Sequence, residues 1–469
     1  MIRVLVVEDE DVSLNNLRDA LNAIRCQVAL DVAECRDRAL SMLEENDYDL
    51  VICDLRIPTM PDVLDAQEAH GLAVHAYVRL HRPGVPAIFL TAYPDNRSIA
   101  EQLALGDVAS YYGRERLPIT RLVVKGDHDE LTRVLGEYLV GLAHIEGLPL
   151  ESSATLDEML RRSILQYAAG LGATDVLVKL YGGSSGASVA RADVTLGGGR
   201  TCSVVVKVQD RERAIAEELA YRQNVPNRLR VGYFATTVDE QRFGLRSKGA
   251  VIWSIAPGVG DLFELMGTSI DAAARTVERV AVGHQPWTSQ SNRAIRNIGS
   301  LRRARNNTPA TEELVRRDSV LSKVESLDLS ILECTSHGDL HCANIFADDT
   351  TGPTLIDFGD VGTAPSAIDP VTLELSLFFN PNGPLHGDAV PDMDLNHWDD
   401  ADRFASNSIY GPFVRACRAW AADVSDPVTF AVVGYLHAMR QLKYGDIPQG
   451  VPLAIARSAA TAVLGLVAS

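Results

Sequence analysis

The chain is predicted to be an α/β protein: a doubly wound parallel sheet comes first, then a two-part α+β region in which antiparallel strands give way to helices. Three observations predict it. Short apolar runs in the first third alternate with segments of helical spacing, and each run ends on a polar residue. Between Val176 and Val208, β-branched runs are punctuated by glycine-rich turns. After Asp369 the pattern is largely helical, broken near 380–391 and 445–452.

The first apolar run, Ile2-Arg-Val-Leu-Val-Val, ends in Glu8-Asp9-Glu10. The second, Leu50-Val-Ile-Cys, ends at Asp54; the third, Ala87-Ile-Phe-Leu, at Thr91; the fourth, Leu122-Val-Val, at Lys125. Segments 13–24 and 35–45 have helical spacing between them, and 127–145 reads as a closing helix. Polar groups at the C-terminal ends of parallel strands lie where open α/β sheets form their ligand crevice. Three carboxylates gathered there repel one another unless a divalent cation or the lysine offsets their charge.

These residues resemble the receiver domain of two-component response regulators, which implies a flavodoxin-like fold. By that resemblance Asp54 is the phosphoacceptor, and Glu8, Asp9 and Asp54 hold Mg²⁺. Thr91 and Lys125 are the switch residues that contact the phosphoryl oxygens. The resemblance also implies a histidine kinase or other phosphodonor as partner. Some positions depart from the pattern. Gly126 stands where proline usually follows the lysine, and Leu122 lies where an aromatic is common. Extra residues occur around 62–70 and 114–119.

A short linker at 147–153 and a connecting amphipathic helix to Gly170 lead onward. Val176-Leu-Val-Lys-Leu reads as a strand, and Tyr181-Gly-Gly-Ser-Ser-Gly186 as a glycine-rich turn. A second strand, from Val189, reaches the Gly197-Gly-Gly199 turn, and a third, Cys202-Ser-Val-Val-Val-Lys207-Val, carries a lysine. Glycines let backbone amides approach phosphates, and a lysine on the third strand can pair with them. Gly182, Gly183, Ser184, Ser185, Gly186 and Lys207 are thus the expected ATP contacts. Glu217 or Glu218 on the next helical segment is expected to hold the lysine, Glu218 being preferred. Ala250-Val-Ile-Trp-Ser-Ile-Ala-Pro257-Gly is either an interlobe hinge or a further core strand.

His337-Gly-Asp339-Leu-His-Cys-Ala-Asn344-Ile, then Leu355-Ile-Asp357-Phe-Gly359, supplies two carboxylates and an amide. Asn344 follows Asp339 by five positions and Asp357 follows it by eighteen. That spacing suits phosphoryl transfer from ATP. Asn344 and Asp357 are hard oxygen ligands for Mg²⁺, leaving Asp339 as the base that accepts the hydroxyl proton. The His-Gly-Asp form of this loop resembles the aminoglycoside phosphotransferase and choline kinase group, which implies a two-lobed kinase-like domain over 150–469. Asp369 is similar to the acid that braces the catalytic loop in that group.

The expected domains are therefore a receiver at 1–146, linker and connecting helix at 147–170, an ATP-binding lobe at 171–258, and a helical catalytic lobe at 259–469. A length of 469 residues accommodates this. Seven cysteines, without a Cys-x-x-Cys pair, argue for reduced thiols in a cytoplasm. A net charge of −18 argues against nucleic acid as a partner. No membrane span is expected. The arginine-rich stretch 293–317 reads either as a solvated face or as a docking patch for an acidic partner. The expected function is a signalling phosphotransferase using Mg²⁺ and ATP, with a small molecule or protein as acceptor. The alternative is a pseudokinase that senses nucleotide and acts as a scaffold.

Overall fold

A computed structural model describes residues 2–24, 26–92, 101, 103, 107–112, 114–181, 186–256, 258–350, 352–387 and 393–469. They form two compact units, one of residues 1–215 with 237–257, the other of 216–236 with 258–469.

The first unit opens with β1 (Ile2–Val7), α1 (Asp11–Ala23), β2 (Val28–Ala33), α2 (Arg36–Glu45), β3 (Leu50–Asp54), α3 (Glu68–His81) and β4 (Ala87–Thr91). A hairpin of β5 (Val108–Tyr111) and β6 (Arg114–Pro118) precedes β7 (Thr120–Val124) and α4 (His128–Glu146). The sheet is parallel throughout, in the order β2-β1-β3-β4-β7, the flavodoxin-like doubly wound arrangement. Apolar side chains fill both faces, as a buried parallel sheet requires. The extra residues at 114–119 are the second arm of the hairpin, whose Tyr111 and Tyr112 are buried. Gly126 has φ +92°, a left-handed value that proline cannot adopt, which accounts for its presence after the lysine.

The same unit continues with β8 (Leu150–Ser152), α5 (Glu158–Gly170), β9 (Ala173–Tyr181), β10 (Ser188–Leu196) and β11 (Thr201–Asp210), and closes with β12 (Thr237–Gln241) and β13 (Lys248–Ile255). These strands form a six-stranded sheet in the order β12-β13-β11-β10-β9-β8. Residues 147–170 are therefore more than a tether. Leu150–Ser152 pairs in parallel with Val176–Val178 of β9. Asp157 caps α5 by accepting from the amides of Met159 and Leu160. Leu160, Ile164 and Ala168 recur at helical spacing and pack on the six-stranded sheet. Leu165, a quarter turn away, packs among Tyr111, Tyr112, Tyr138 and Leu142 instead. Helix α5 is buried on two sides.

The helix Arg211–Asn224 (α6) leads into the second unit. There β14 (Gly260–Asp261) and α7 (Leu262–Thr268) are followed by α8 (Ile270–Thr288), β15 (Asn292–Asn297), α9 (Ile298–Arg305), α10 (Pro309–Arg317) and α11 (Ser319–Glu325). Strands β16 (Asp328–Ser336), β17 (Ile345–Ala347), β18 (Thr354–Leu355) and β19 (Gly362–Pro365) flank the loops of interest. Helices α12 (Ile368–Phe379), α13 (Ala401–Ala405), α14 (Gly411–Val424), α15 (Pro427–Gln441) and α16 (Gly450–Ala468) complete it.

One expectation is corrected here. The stretch 293–317 is not one solvated face: Arg302 is wholly buried, bonded to Glu325 at 2.7 and 2.8 Å and paired with Glu312. Helix α16 is long and apolar enough to cross a membrane by length and composition, with a mean hydropathy of 1.7, because Arg457 is its one charged residue. Its Ile455, Ala456, Ala459, Ala460 and Val463 lie within the core of the second unit.

Candidate functional site

The parallel sheet brings one set of predicted residues together. The register pairs Val7 with Cys53 and Asp54 with Leu90, so Glu8, Asp54 and Thr91 emerge along one edge. Lys125 follows β7, and its amide donates to the Thr91 carbonyl at 2.7 Å. Glu8, Asp9 and Asp54 each bring a carboxylate oxygen to within 4.8 Å of the others. Lys125 Nζ lies 2.7 Å from Asp54 Oδ2, 3.1 Å from Glu8 Oε2 and 3.6 Å from Glu10.

Burial pushes the Glu8 carboxyl up to about 7 despite Lys125, and Asp54 adds to the rise. Burial raises Asp54 as well, against the opposing pull of Lys125. An all-oxygen, acid-rich donor set of this kind fits a hard divalent cation such as Mg²⁺. A crevice of about 260 Å³ opens beside Asp54 and Lys125, lined also by Glu10, Arg56, Glu68 and Thr91. Arg56 and Glu68 were not singled out by the sequence. Arg56 follows Asp54 by two positions, and its amide donates to Asp54 Oδ1 at 3.1 Å.

The second unit assembles the loop from His337 to Asn344. Strand β16 delivers it, and a short 3₁₀ turn over Cys342–Asn344 ends it. Asp369, in the first turn of α12, accepts from the amides of His337 at 2.8 Å and Gly338 at 2.9 Å. Gly338 has φ +86°, and a Cβ there would stand 2.4 Å from the Asp360 carbonyl, so only glycine fits. His337 Nε2 lies 2.9 Å from the Ile356 carbonyl, tying this loop to the residue before Asp357. Asn344 Nδ2 donates to the Asp339 carbonyl at 2.9 Å, which leaves its side-chain oxygen as the atom able to ligate a cation. Asp357 takes φ +62°, a left-handed position that a non-glycine residue occupies only when its surroundings hold it there.

The Asp339 carboxylate is partly open, with Arg440 Nη1 3.4 Å from Oδ1 and His341 Nε2 4.0 Å from Oδ2. Burial keeps His341 below its usual range, opposed by the charges of Asp339 and Asp357. Burial would also lower Arg440, but Asp339 reverses that and raises it. Neither Arg440 nor Arg305, on which the charges of Asp360 and Asp339 act, was singled out as a site residue. The one signal for Arg440 was an arginine in an otherwise apolar helical stretch, and Arg305 was one of several arginines in the stretch 293–317.

The remaining predicted residues fall in both units. Lys207 is buried on β11 and Gly186 lies just before β10 in the first unit. Gly182, Gly183, Ser184 and Ser185 lie outside the described residues, as does Pro257. In the second unit Glu217 and Glu218 are both buried, and Glu218 is paired with Arg222.

Residues 4–109 match the family model of the response regulator receiver domain. The N-terminal part of the chain is a receiver domain. Similar solved structures include the signal receiver domain of an HD domain-containing protein from Pseudomonas fluorescens Pf-5, with 23% identity, 30% of this chain and 94% of that chain covered, and a TM-score of 0.23. Another is the response regulator TrrA from Thermotoga maritima in complex with Mg²⁺-BeF, with 27% identity, 29% and 98% covered, and a TM-score of 0.22. A third is a thermostable mutant of aminoglycoside phosphotransferase APH(4)-Ia in ternary complex with AMP-PNP and hygromycin B, with 13% identity, 62% and 93% covered, and a TM-score of 0.36. No curated protein matches the sequence.

Proposed function

We propose that the chain is a cytoplasmic, Mg²⁺- and ATP-dependent phosphotransferase regulated by its receiver domain. The observation that carries this reading is how Asp339 is held. Its loop is fixed by Asp369 and His337, its carbonyl is bonded by Asn344, and its carboxylate stays partly open. In the proposed step an acceptor hydroxyl oxygen bonds to the γ-phosphorus of ATP as the bond from that phosphorus to the bridging β–γ oxygen breaks. Asp339 takes the hydroxyl proton, and ADP leaves with the bridging oxygen. Asn344 and Asp357 are the residues for Mg²⁺. Lys207 and the glycine-rich turn from Gly182 to Gly186 serve the nucleotide phosphates, and Glu218 is assigned to orient the lysine.

Asp54 is the proposed phosphoacceptor, with Glu8 and Asp9 completing its cation site, Thr91 and Lys125 contacting the phosphoryl group, and a histidine kinase or other donor supplying it. Treating the full chain with acetyl phosphate and Mg²⁺ should add one phosphoryl group by intact mass, and Asp54→Asn should not acquire it. Modification that persists in Asp54→Asn would remove Asp54 from this role.

Regulation follows from α5, which packs both on the β-sheet that carries Lys207 and against the hairpin tyrosines beside β7. Coupling between sites is typically ~1–3 kcal/mol, so phosphorylation should change nucleotide affinity by roughly 5–150-fold. Calorimetric titration of AMP-PNP, with and without acetyl phosphate, checks this in wild type and in Asp54→Asn. Equal affinities in all arms would mean that the receiver serves to recruit a partner instead.

A further inference from the structure

Arg440 lies at the Asp339 carboxylate, and the packing of two helices brings Arg305 close to Arg440. Arg305 ends α9 and Arg440 lies near the end of α15, and these helices pack together. The contact is specific: Asn306, next to Arg305, donates through Nδ2 to the carbonyl of Met439, next to Arg440, at 2.8 Å. Arg440 is bonded to Asp339. Arg305, half-buried, makes no hydrogen bond or ion pair among the described residues. The charges acting on it are Arg440, Asp360 and Asp339. His437, one turn before Arg440, is buried, bonded to Thr372 and Gln441, and held neutral by burial and by both arginines.

A guanidinium carries five fixed N–H donors and does not deprotonate in proteins. Partly burying one beside a second guanidinium, without an acceptor of its own, is costly unless an anion completes the site. The remainder of α9 shows the contrast, since Arg302 is fully bonded to Glu325 and the Asn306 carbonyl. Arg440 has Asp339, whereas Arg305, beside it where α9 meets α15, bonds to no side chain among the described residues.

We infer that the phosphate acceptor is an anionic hydroxyl compound, whose carboxylate or phosphate group is bound by Arg305 with help from Arg440. The inference rests on the phosphotransfer reading, and on that reading it excludes a polycationic acceptor for this site. The chain as a whole is acidic, with a net charge of −18, so this cationic pair is a local departure from its surface.

The test is calorimetry on the full chain saturated with MgAMP-PNP, titrated with glycerate, glycerol 3-phosphate, glycerol and ethanolamine. Glycerate or glycerol 3-phosphate should bind, and whichever binds more tightly identifies the anionic group. Arg305→Gln should weaken that binding at least tenfold. Arg305→Lys should recover part of it, and Arg303→Gln, at an exposed neighbour, should leave it unchanged. The inference is overturned if neither anion binds, if glycerol or ethanolamine binds as tightly, or if Arg305→Gln binds the anion as wild type does. Failure of MgAMP-PNP to bind, or of ATP to yield any phosphorylated product, would instead count against the phosphotransfer reading.

Discussion

Asp339→Asn is expected to lower phosphoryl transfer by roughly 10²–10⁴-fold, the usual cost of losing a positioned general base. At ~1.4 kcal/mol per factor of ten, that is about 3–5 kcal/mol of lost transition-state stabilisation. The substitution keeps the shape of the side chain and an oxygen that can accept from Arg440. It leaves Asn344 and its bond to the residue-339 carbonyl in place, because that bond is to backbone. Nucleotide affinity should therefore persist while the chemistry fails. Asp357→Ala should behave differently, weakening Mg²⁺-dependent AMP-PNP binding as well as transfer, since it removes a cation ligand. Single-turnover rates with MgATP, together with calorimetric binding, separate the two. If Asp339→Asn turned over at the wild-type rate, the base would lie elsewhere, and Asp360, whose charge acts on Arg305 as that of Asp339 does, would be tested next. Wild-type protein that binds ATP yet phosphorylates nothing, itself included, would favour the nucleotide-sensing scaffold.

The parts of this molecule that were legible in the sequence are those whose signal is local. An apolar run ending in an acid, threonine or lysine declares both a parallel strand and the end that carries its chemistry, which is why β1, β3, β4 and β7 and their terminal residues could be placed. The Asp339–Asn344–Asp357 spacing is local in the same way, and so is the alternation of β9, β10 and β11 around glycine turns. What escaped depends on distant partners. A three-residue strand such as β8 has too little pattern to be seen, and it exists because β9 offers an open edge. Arg302 read as a surface charge because nothing near it in the chain announces Glu325, twenty-three positions on. Arg305 and Arg440 lie on helices far apart in the chain and acquire meaning only where those helices meet. The hairpin at β5 and β6 was visible as surplus length, but not as the source of two buried tyrosines.

The same distance dependence hides the residue whose loss should most destabilise the first unit. Asp49→Ala is expected to cost about 3–5 kcal/mol of folding stability, the usual consequence of removing one partner from a buried ionic network. Asp49 immediately precedes β3 and is 2% exposed, while Arg162 on α5 is 0% exposed. Asp49 accepts from the Arg3 amide at 2.8 Å and from Arg246 at 2.7 and 3.0 Å, and is paired with Arg162. Without it, Arg162 retains, among the described residues, Glu146 at 3.3 Å and Glu158 at 3.5 Å, the latter shared with Arg246. Burial alone would raise the Asp49 carboxyl, but Arg246 and Arg162 outweigh that and hold it below its ordinary value. Its contribution is thus fully present above the unfolded carboxylate range and is lost as pH falls through the depressed folded value. Urea unfolding of the full chain should show a lowered midpoint for Asp49→Ala at pH 7, with the gap from wild type narrowing toward pH 3. Asp49→Asn, which keeps an acceptor but not the charge, should fall between them. A midpoint shift worth less than about 0.5 kcal/mol would mark the cluster as an ordinary surface site. The expectation has a second arm, because α5, β8 and Arg246 are built against the receiver rather than tethered to it. A chain beginning at residue 150 would strip Asp49, Tyr111 and Tyr112 from α5 and leave Arg162 and Leu165 without cover. That chain should fail to unfold cooperatively, and regulation by Asp54 is then best tested in the full chain by substitution.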